Sequence, residues 1–260
     1  MRIGLGLPTV FPSEQGPLVM EWARRAEAAG FSTLSILDRL VYENFDPLLT
    51  LTAAAAVTER IRLMTAILIV PMRGAGVLAK EVASLDAISN GRLTLGIAVG
   101  NRKDDFAVAG AEHGNRGKRF DKQIALMKRI WSGDNALDGI GPVGPAPIQA
   151  GGPPLIFGGR NARALSRIAQ WGDGYVTGSV SDMAGARATY ELCLDPWREA
   201  GREGLPLFIG SLTCAIGEAE AQATADAGAR YYSYQGGRPA NAPGQPGAAP
   251  TAAAAGIAST

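Results

Sequence analysis

The stretch PPLIFGGRNARALSRIAQWGDGYVTG, residues 153–178, reads as strand, glycine turn, helix and strand. Leu155, Ile156 and Phe157 form a short apolar run, Gly158 and Gly159 free the backbone, and an amphipathic helix opens at Ala162 with Asn161 as its N-cap. Bare glycine backbone feeding a helix N-terminus offers peptide N–H groups and a partial positive charge, which together make a phosphate-sized anion site. The plainer alternative is a tight turn between strand and helix with no ligand.

Outward from this unit, strand and helix alternate along the chain. Residues 3–7 read as a first strand and 18–29 as a helix with Val19, Trp22, Ala23 and Ala26 on its inner face, stopped by Gly30. Residues 33–37 form a second strand, and Asp46 with Pro47 opens a helix to about residue 58. A third strand over 62–70 precedes a helix over 77–88, whose buried face is Val77, Leu78, Val82, Leu85 and Ile88. Strand four covers 93–99, a polar loop follows through 101–115, and a helix runs over 119–131. Beyond the decisive stretch lie a helix over 183–200, a strand over 207–216 and a helix over 218–230.

Seven strand–helix units in a chain of 260 residues predict an α/β fold with a parallel sheet, a TIM (β/α)8-type barrel that is incomplete because its eighth strand is missing. One barrel domain spans 1–235. Within it, residues 133–152, with six glycines and three prolines, read as a surface loop or lid. The tail 236–260 holds nine alanines, five glycines, four prolines and one large aliphatic, Ile257, so it is expected to be disordered.

Composition narrows the partners. A net charge of +1 leaves no electrostatic footprint for nucleic acid or an acidic membrane surface, and no apolar run is long enough to span a bilayer. A small-molecule substrate and a cytoplasmic location are expected. Cys193 and Cys214 lack the spacing of a zinc site or a disulfide framework, and no His and carboxylate cluster suggests another metal.

Barrel enzymes build their sites on the C-terminal ends of the strands. Those ends carry Asp38, Arg39, Arg73, Gly100 to Arg102 and Gly158 to Asn161, a set rich in glycine and arginine and poor in acid–base groups. Such a site suits an enzyme whose hard chemistry belongs to a bound cofactor. His113, the single histidine, sits in a glycine-flanked loop and reads as solvated surface; Arg73 and Arg102 read the same way, and the tryptophans as core.

Four segments carry a resemblance: LTAAAAVTERIRLMTAILIVPMR (51–73), AKEVASLDAISNGRLTLGIAVGN (79–101), RGKRFDKQIALMKRIWSG (116–133) and the opening stretch. In this order they resemble the bacterial-luciferase-like superfamily of flavin-dependent monooxygenases and F420-dependent oxidoreductases, over about residues 1–230. The resemblance implies a TIM barrel, bound FMN or, as the alternative, coenzyme F420, redox chemistry at the ring, and a homodimer. Gly158, Gly159, Arg160 and Asn161 match the family's cofactor-phosphate loop, and Ala66 and Ile67 match the segment backing the ring, often through a bulge with an unusual peptide. Gly100 and Asn101 match the end of strand four, where many members place an aromatic after the glycine. Asp38 matches a strand-two end that frequently reads Asp-His in F420-dependent members. Arg39 stands here in place of that His, which favours FMN. Arg119 matches helix arginines that reach the phosphate in some members. Asp38 and Asn101 are thus the catalytic candidates, with a loop cap or a pair with Arg39 as the structural alternative for Asp38. The competing reading of the whole chain is a truncated, catalytically defective barrel that only binds cofactor.

Overall fold

The computed structural model describes residues 2–9, 15–135, 138–159, 161–179, 183–212, 217–218, 221–223 and 225–226. Its strands are β1 (Gly4–Gly6), β2 (Thr33–Ile36), β3 (Arg62–Ile69), β4 (Leu93–Ala98), β5 (Leu155–Gly158), β6 (Gly174–Ser179) and β7 (Leu207–Ser211). The helices are α1 (Gln15–Ala28), α2 (Pro47–Ala56), α3 (Ala75–Ile88), α4 (Lys103–Val108), α5 (Arg116–Trp131), α6 (Ala162–Trp171) and α7 (Met183–Glu199). The strands pair in chain order, all parallel, in one seven-stranded sheet that curls as an incomplete barrel. Among the described residues β1 and β7 are not paired with each other.

Local chemistry sets the boundaries. Asp46 Oδ1 accepts the amides of Leu48 (2.9 Å) and Leu49 (3.1 Å), with Pro47 at the first helical position, so α2 starts where predicted. Asn90 and Gly91, at φ 54° and 72°, end α3. The polar loop after β4 contains a helix the sequence reading did not anticipate. Asp104 and Asp105 lie in the first turn of α4, where the helix dipole favours them.

Alternation along the strands divides the core in two. Leu93, Leu95, Ile97, Leu155, Phe157 and Tyr175 belong to the large cluster shared with the helices, whereas Met64, Ile156 and Val176 form a small one with Ala66, Ile67 and Ile209. Two expected core faces need correction. Trp22 is 38% exposed, and on α3 Val77 and Ile88 are 64% and 58% exposed, since the buried stripe there runs through Leu78, Ala79, Val82 and Leu85.

Within the segment 133–152, Gln149 is tied to the N-terminal end of β4 and to α3. Gln149 Nε2 donates to the Leu93 carbonyl at the start of β4 (2.8 Å) and to Asp86 Oδ1 near the end of α3 (2.7 Å), and the Gln149 amide donates to Asp86 Oδ2 (3.0 Å). The expected last helix and the tail 236–260 fall largely or wholly outside the described residues, as does Cys214. Cys193 is buried, which pushes its thiol up to about 11 and leaves it unreactive.

Candidate functional site

The site begins with a bulge in β3. Thr65 pairs with Leu95 and Leu68 with Ile97, so three steps on β3 face two on β4, and the peptide between Ala66 and Ile67 in this bulge is cis. Gly96 opposite is obligatory: a Cβ there would collide with the Thr65 carbonyl oxygen. Thr65 Oγ1 in turn donates to the Gly96 carbonyl (2.7 Å). Both Ala66 and Ile67 are half-buried and line a cavity of about 220 Å3 at the C-terminal ends of β2, β3 and β4.

Asp38, Gly100 and Asn101 border the same cavity. Asp38 is almost wholly buried; its Oδ2 accepts the Ile69 amide (2.8 Å) and its Oδ1 the Arg73 guanidinium (3.1 Å). Burial pushes the Asp38 carboxyl above its ordinary value, although Arg73 and the Ile69 amide pull the other way. Arg73 also holds Asp46, at 3.0 Å. Burial disfavours the Arg73 cation, but Asp38 and Asp46 outweigh that and raise its pKa. Gly100 takes φ 70°, and a Cβ would lie 2.5 Å from Ile69 Cγ2, so only glycine fits. The Asn101 carbonyl meets His113 Nε2 (3.2 Å), and the His113 ring stands edge-on to Phe106 with centroids 5.2 Å apart. His113 therefore packs, half-buried, against two residues of the cavity wall, where the sequence reading expected solvated surface.

Arg39, Arg102, Asp105 and Phe106 also line the cavity. Arg39 is buried and paired with Asp105, Nε to Oδ2 at 2.8 Å, and Asp105 Oδ1 also accepts the amides of Leu40 (3.2 Å) and Val41 (2.8 Å). In place of the Asp38–Arg39 pair considered as an alternative, Asp38 pairs with Arg73 and Arg39 with Asp105. Arg102, expected to be solvated, has a side chain only 9% exposed and is held by Asp104. Arg73 is likewise paired rather than solvated. Phe106 is buried. A short helix with acids in its first turn ahead of one aromatic was the available signal for Asp105 and Phe106; the partners of Asp105, in the segment after β2, were not.

The glycine turn stands apart from this cavity but touches its floor. The side chain of Ile67 occupies the space that a Cβ on Gly158 would need. Gly159 has φ 130°, and its Cβ would lie 2.6 Å from that of Ala164, so the turn admits no side chain. Asn161 caps α6 as predicted, Oδ1 accepting the Ala164 amide at 2.9 Å. Arg160 lies outside the described residues. Arg119 spends its guanidinium within the chain, on Pro71 O (3.1 Å), Asn115 Oδ1 (2.5 Å) and Glu112 O (2.5 Å), and sits over the Phe106 ring. Among the described residues no group of His, Cys, Asp and Glu could hold a metal, and no helix is long and apolar enough to cross a membrane.

A family model described as luciferase-like monooxygenase matches residues 1–258. An uncharacterised protein of Mycobacterium tuberculosis is 30% identical over 238 residues, 80% of this chain and 83% of its own length. Among solved structures, the coenzyme F420 dependent tetrahydromethanopterin reductase of Methanopyrus kandleri superposes with a TM-score of 0.72 at 21% identity, covering 92% of this chain and 73% of that one. The oxygenating constituent of 3,6-diketocamphane monooxygenase from Pseudomonas putida, in complex with FMN, gives a TM-score of 0.70 at 20% identity, covering 90% of this chain and 73% of that one.

Proposed function

The chain belongs to the luciferase-like monooxygenase family, and from that premise we propose that it is an FMN-dependent oxidoreductase acting on a small organic substrate. The observation that carries this reading is the turn at Gly158 and Gly159. Its backbone tolerates no Cβ, it opens directly into the ten-residue helix α6, and Ile67 of the β3 bulge packs against it. First-turn amides and the helix dipole suit a phosphate there, and the bulge at Ala66 and Ile67 gives a ring a floor to rest on. Bound FMN supplies the redox chemistry. The chain binds it, orients it against the β3 bulge and excludes water with Phe106, Ile69 and Met72.

Coenzyme F420 is the second candidate, since the same fold serves an F420-dependent reductase. Arg39 argues for FMN. It stands where F420-dependent relatives often place a histidine, and its guanidinium is committed to Asp105. Asn101 and Asp38 keep their places as the polar residues beside the reacting centre, with Asp38 acting through Ile69 and Arg73. A homodimer and a cytoplasmic location belong to the proposal on the resemblance alone. The defective-barrel reading keeps one observation in its favour, the exposure of β7, whose residues are exposed except for a half-buried Ile209.

Titration with FMN and with F420, followed by fluorescence, tests the reading. FMN is expected to bind the parent, and Gly159→Asp to abolish binding while keeping the secondary structure. Undiminished binding by that variant places the phosphate elsewhere; preference for F420 selects the second cofactor.

A further inference from the structure

The polar side chains that border the cavity already have partners, with one exception. Asp38 holds Ile69 and Arg73, Arg39 and Asp105 hold each other, and Asp104 holds Arg102. Asn101 differs from them. It borders the same cavity and is exposed, and its side-chain amide makes no hydrogen bond among the described residues. The backbone that carries this amide is tied on both sides. Gly100, at φ 70°, turns the chain after β4, and its carbonyl accepts Arg116 Nε at 2.8 Å. Arg116 Nη1 donates to the His113 carbonyl (3.0 Å), and His113 Nε2 meets the Asn101 carbonyl (3.2 Å). The peptide oxygens before and after the Asn101 Cα are therefore held, while the side chain is left to a ligand, and a group placed in advance is recruited at low entropic cost.

A flavin ring carries polar atoms along one edge, where an imide N–H stands between two carbonyl groups. Burying that edge without partners is costly. Ala66, Ile67, Ile69, Met72 and Phe106 have no polar side-chain atom to offer it. The charged residues could serve it only by breaking ion pairs that are themselves buried. A primary amide has an acceptor and two donors, so it can take the imide N–H and give an N–H to the adjoining carbonyl. We infer that Asn101 recognises the imide edge of the ring, and so determines which flat ligands the cavity accepts. The inference deepens the proposed function by naming its ring-recognition residue, and rests on that reading for the presence of the ring.

FMN and its N3-methyl derivative, in which a methyl group replaces the imide hydrogen, serve as the probes, with flavin fluorescence reporting binding to the full chain. The parent is expected to bind FMN at least about tenfold tighter than the methyl derivative. Asn101→Leu and Asn101→Ala are each expected to weaken FMN about tenfold and to bring the two probes within about twofold of each other. Both variants should keep the parent's unfolding midpoint, because the side chain is exposed and unpaired. A preference that survives in both variants overturns the inference, since the methyl group then collides with something other than Asn101. A parent that binds FMN and the methyl derivative equally also overturns it, and leaves the cofactor reading standing. A parent that binds F420 alone, and about tenfold more weakly after Asn101→Leu, removes FMN from the proposed function but keeps Asn101 on the imide edge, which a deazaflavin shares. Binding of neither cofactor by the parent overturns both.

Discussion

Asp38 Oδ2 accepts the backbone N–H of Ile69 at 2.8 Å, so the end of β2 holds the chain just past the bulge in β3. The other oxygen holds Arg73, and Arg73 passes the tie on to Asp46 at the head of α2. One carboxylate therefore fixes the relative positions of β2, β3 and α2 around the proposed ring seat. Asp38→Ala leaves the Ile69 amide and a largely buried guanidinium without this partner, and is expected to cost about 3 kcal/mol of stability. Asp38→Asn keeps an acceptor for Ile69 and is expected to cost about half as much. Urea unfolding midpoints check both, and losses below about 1 kcal/mol for Asp38→Ala would show that the tie is weak.

Arg39 and Asp105, which also line the cavity, make a similar test. Their side chains are 6% and 5% exposed, and Asp105 also satisfies two amides of the segment after β2. Asp105→Ala takes a buried carboxylate from Arg39 and the acceptor from the Leu40 and Val41 amides, and is expected to destabilise by about 3–5 kcal/mol. Arg39→Met combined with Asp105→Leu removes both charges and is expected to lose less than the single variant. A double variant at least as unstable as Asp105→Ala shows that the Leu40 and Val41 amides, not the ion pair, dominate.

These ties explain what the sequence could show. The βα alternation, the Asp46–Pro47 start of α2, the Asn161 cap and the need for glycine at 159 are local, and each is legible in a few adjacent residues. The ion pair of Arg39 with Asp105 closes over 66 residues, and no local pattern predicts such a partner. Arg102 read as solvated because most loop arginines are, yet α4 folds over it. The bulge was expected from resemblance alone; its physical signature, Gly96 against the Thr65 carbonyl, lies in the neighbouring strand.

Glu27 supplies a pH-dependent contribution far from the site. Its carboxylate accepts three successive amides, those of Glu59 (3.0 Å), Arg60 (2.7 Å) and Ile61 (2.8 Å), and so closes the turn before β3. Burial pushes its pKa up, but the Ile61, Arg60 and Glu59 amides outweigh burial and leave it below the ordinary 4.5. A depressed carboxylate pKa contributes stability above 4.5 that is lost as pH falls through the folded value. Asp38, raised instead, works in the opposite sense, its share declining as pH rises from 3.8 through its folded value. Glu27→Gln is therefore expected to be less stable than the parent at pH 7 and to converge on it in acid. A stability difference independent of pH between 7 and 3 contradicts this.

The sheet edges decide between a working barrel and a defective one. Every residue of β4 is buried or nearly so, whereas β7 is exposed at Leu207, Phe208, Gly210 and Ser211, and Ile3 beside β1 is 57% exposed. Edge strands with one unpaired side and little apolar cover open at low cost. Amides of β7 are expected to exchange at least about 100-fold faster than those of β4, with β1 closer to β7. FMN that binds only the folded form slows exchange in β5 and β6, next to the Gly158–Gly159 turn, by mass action. Slow exchange in β7, equal to that of β4, shows that its edge is covered and removes the argument for a defective barrel. Fast exchange in β5 and β6 that FMN leaves unchanged counts against the enzyme.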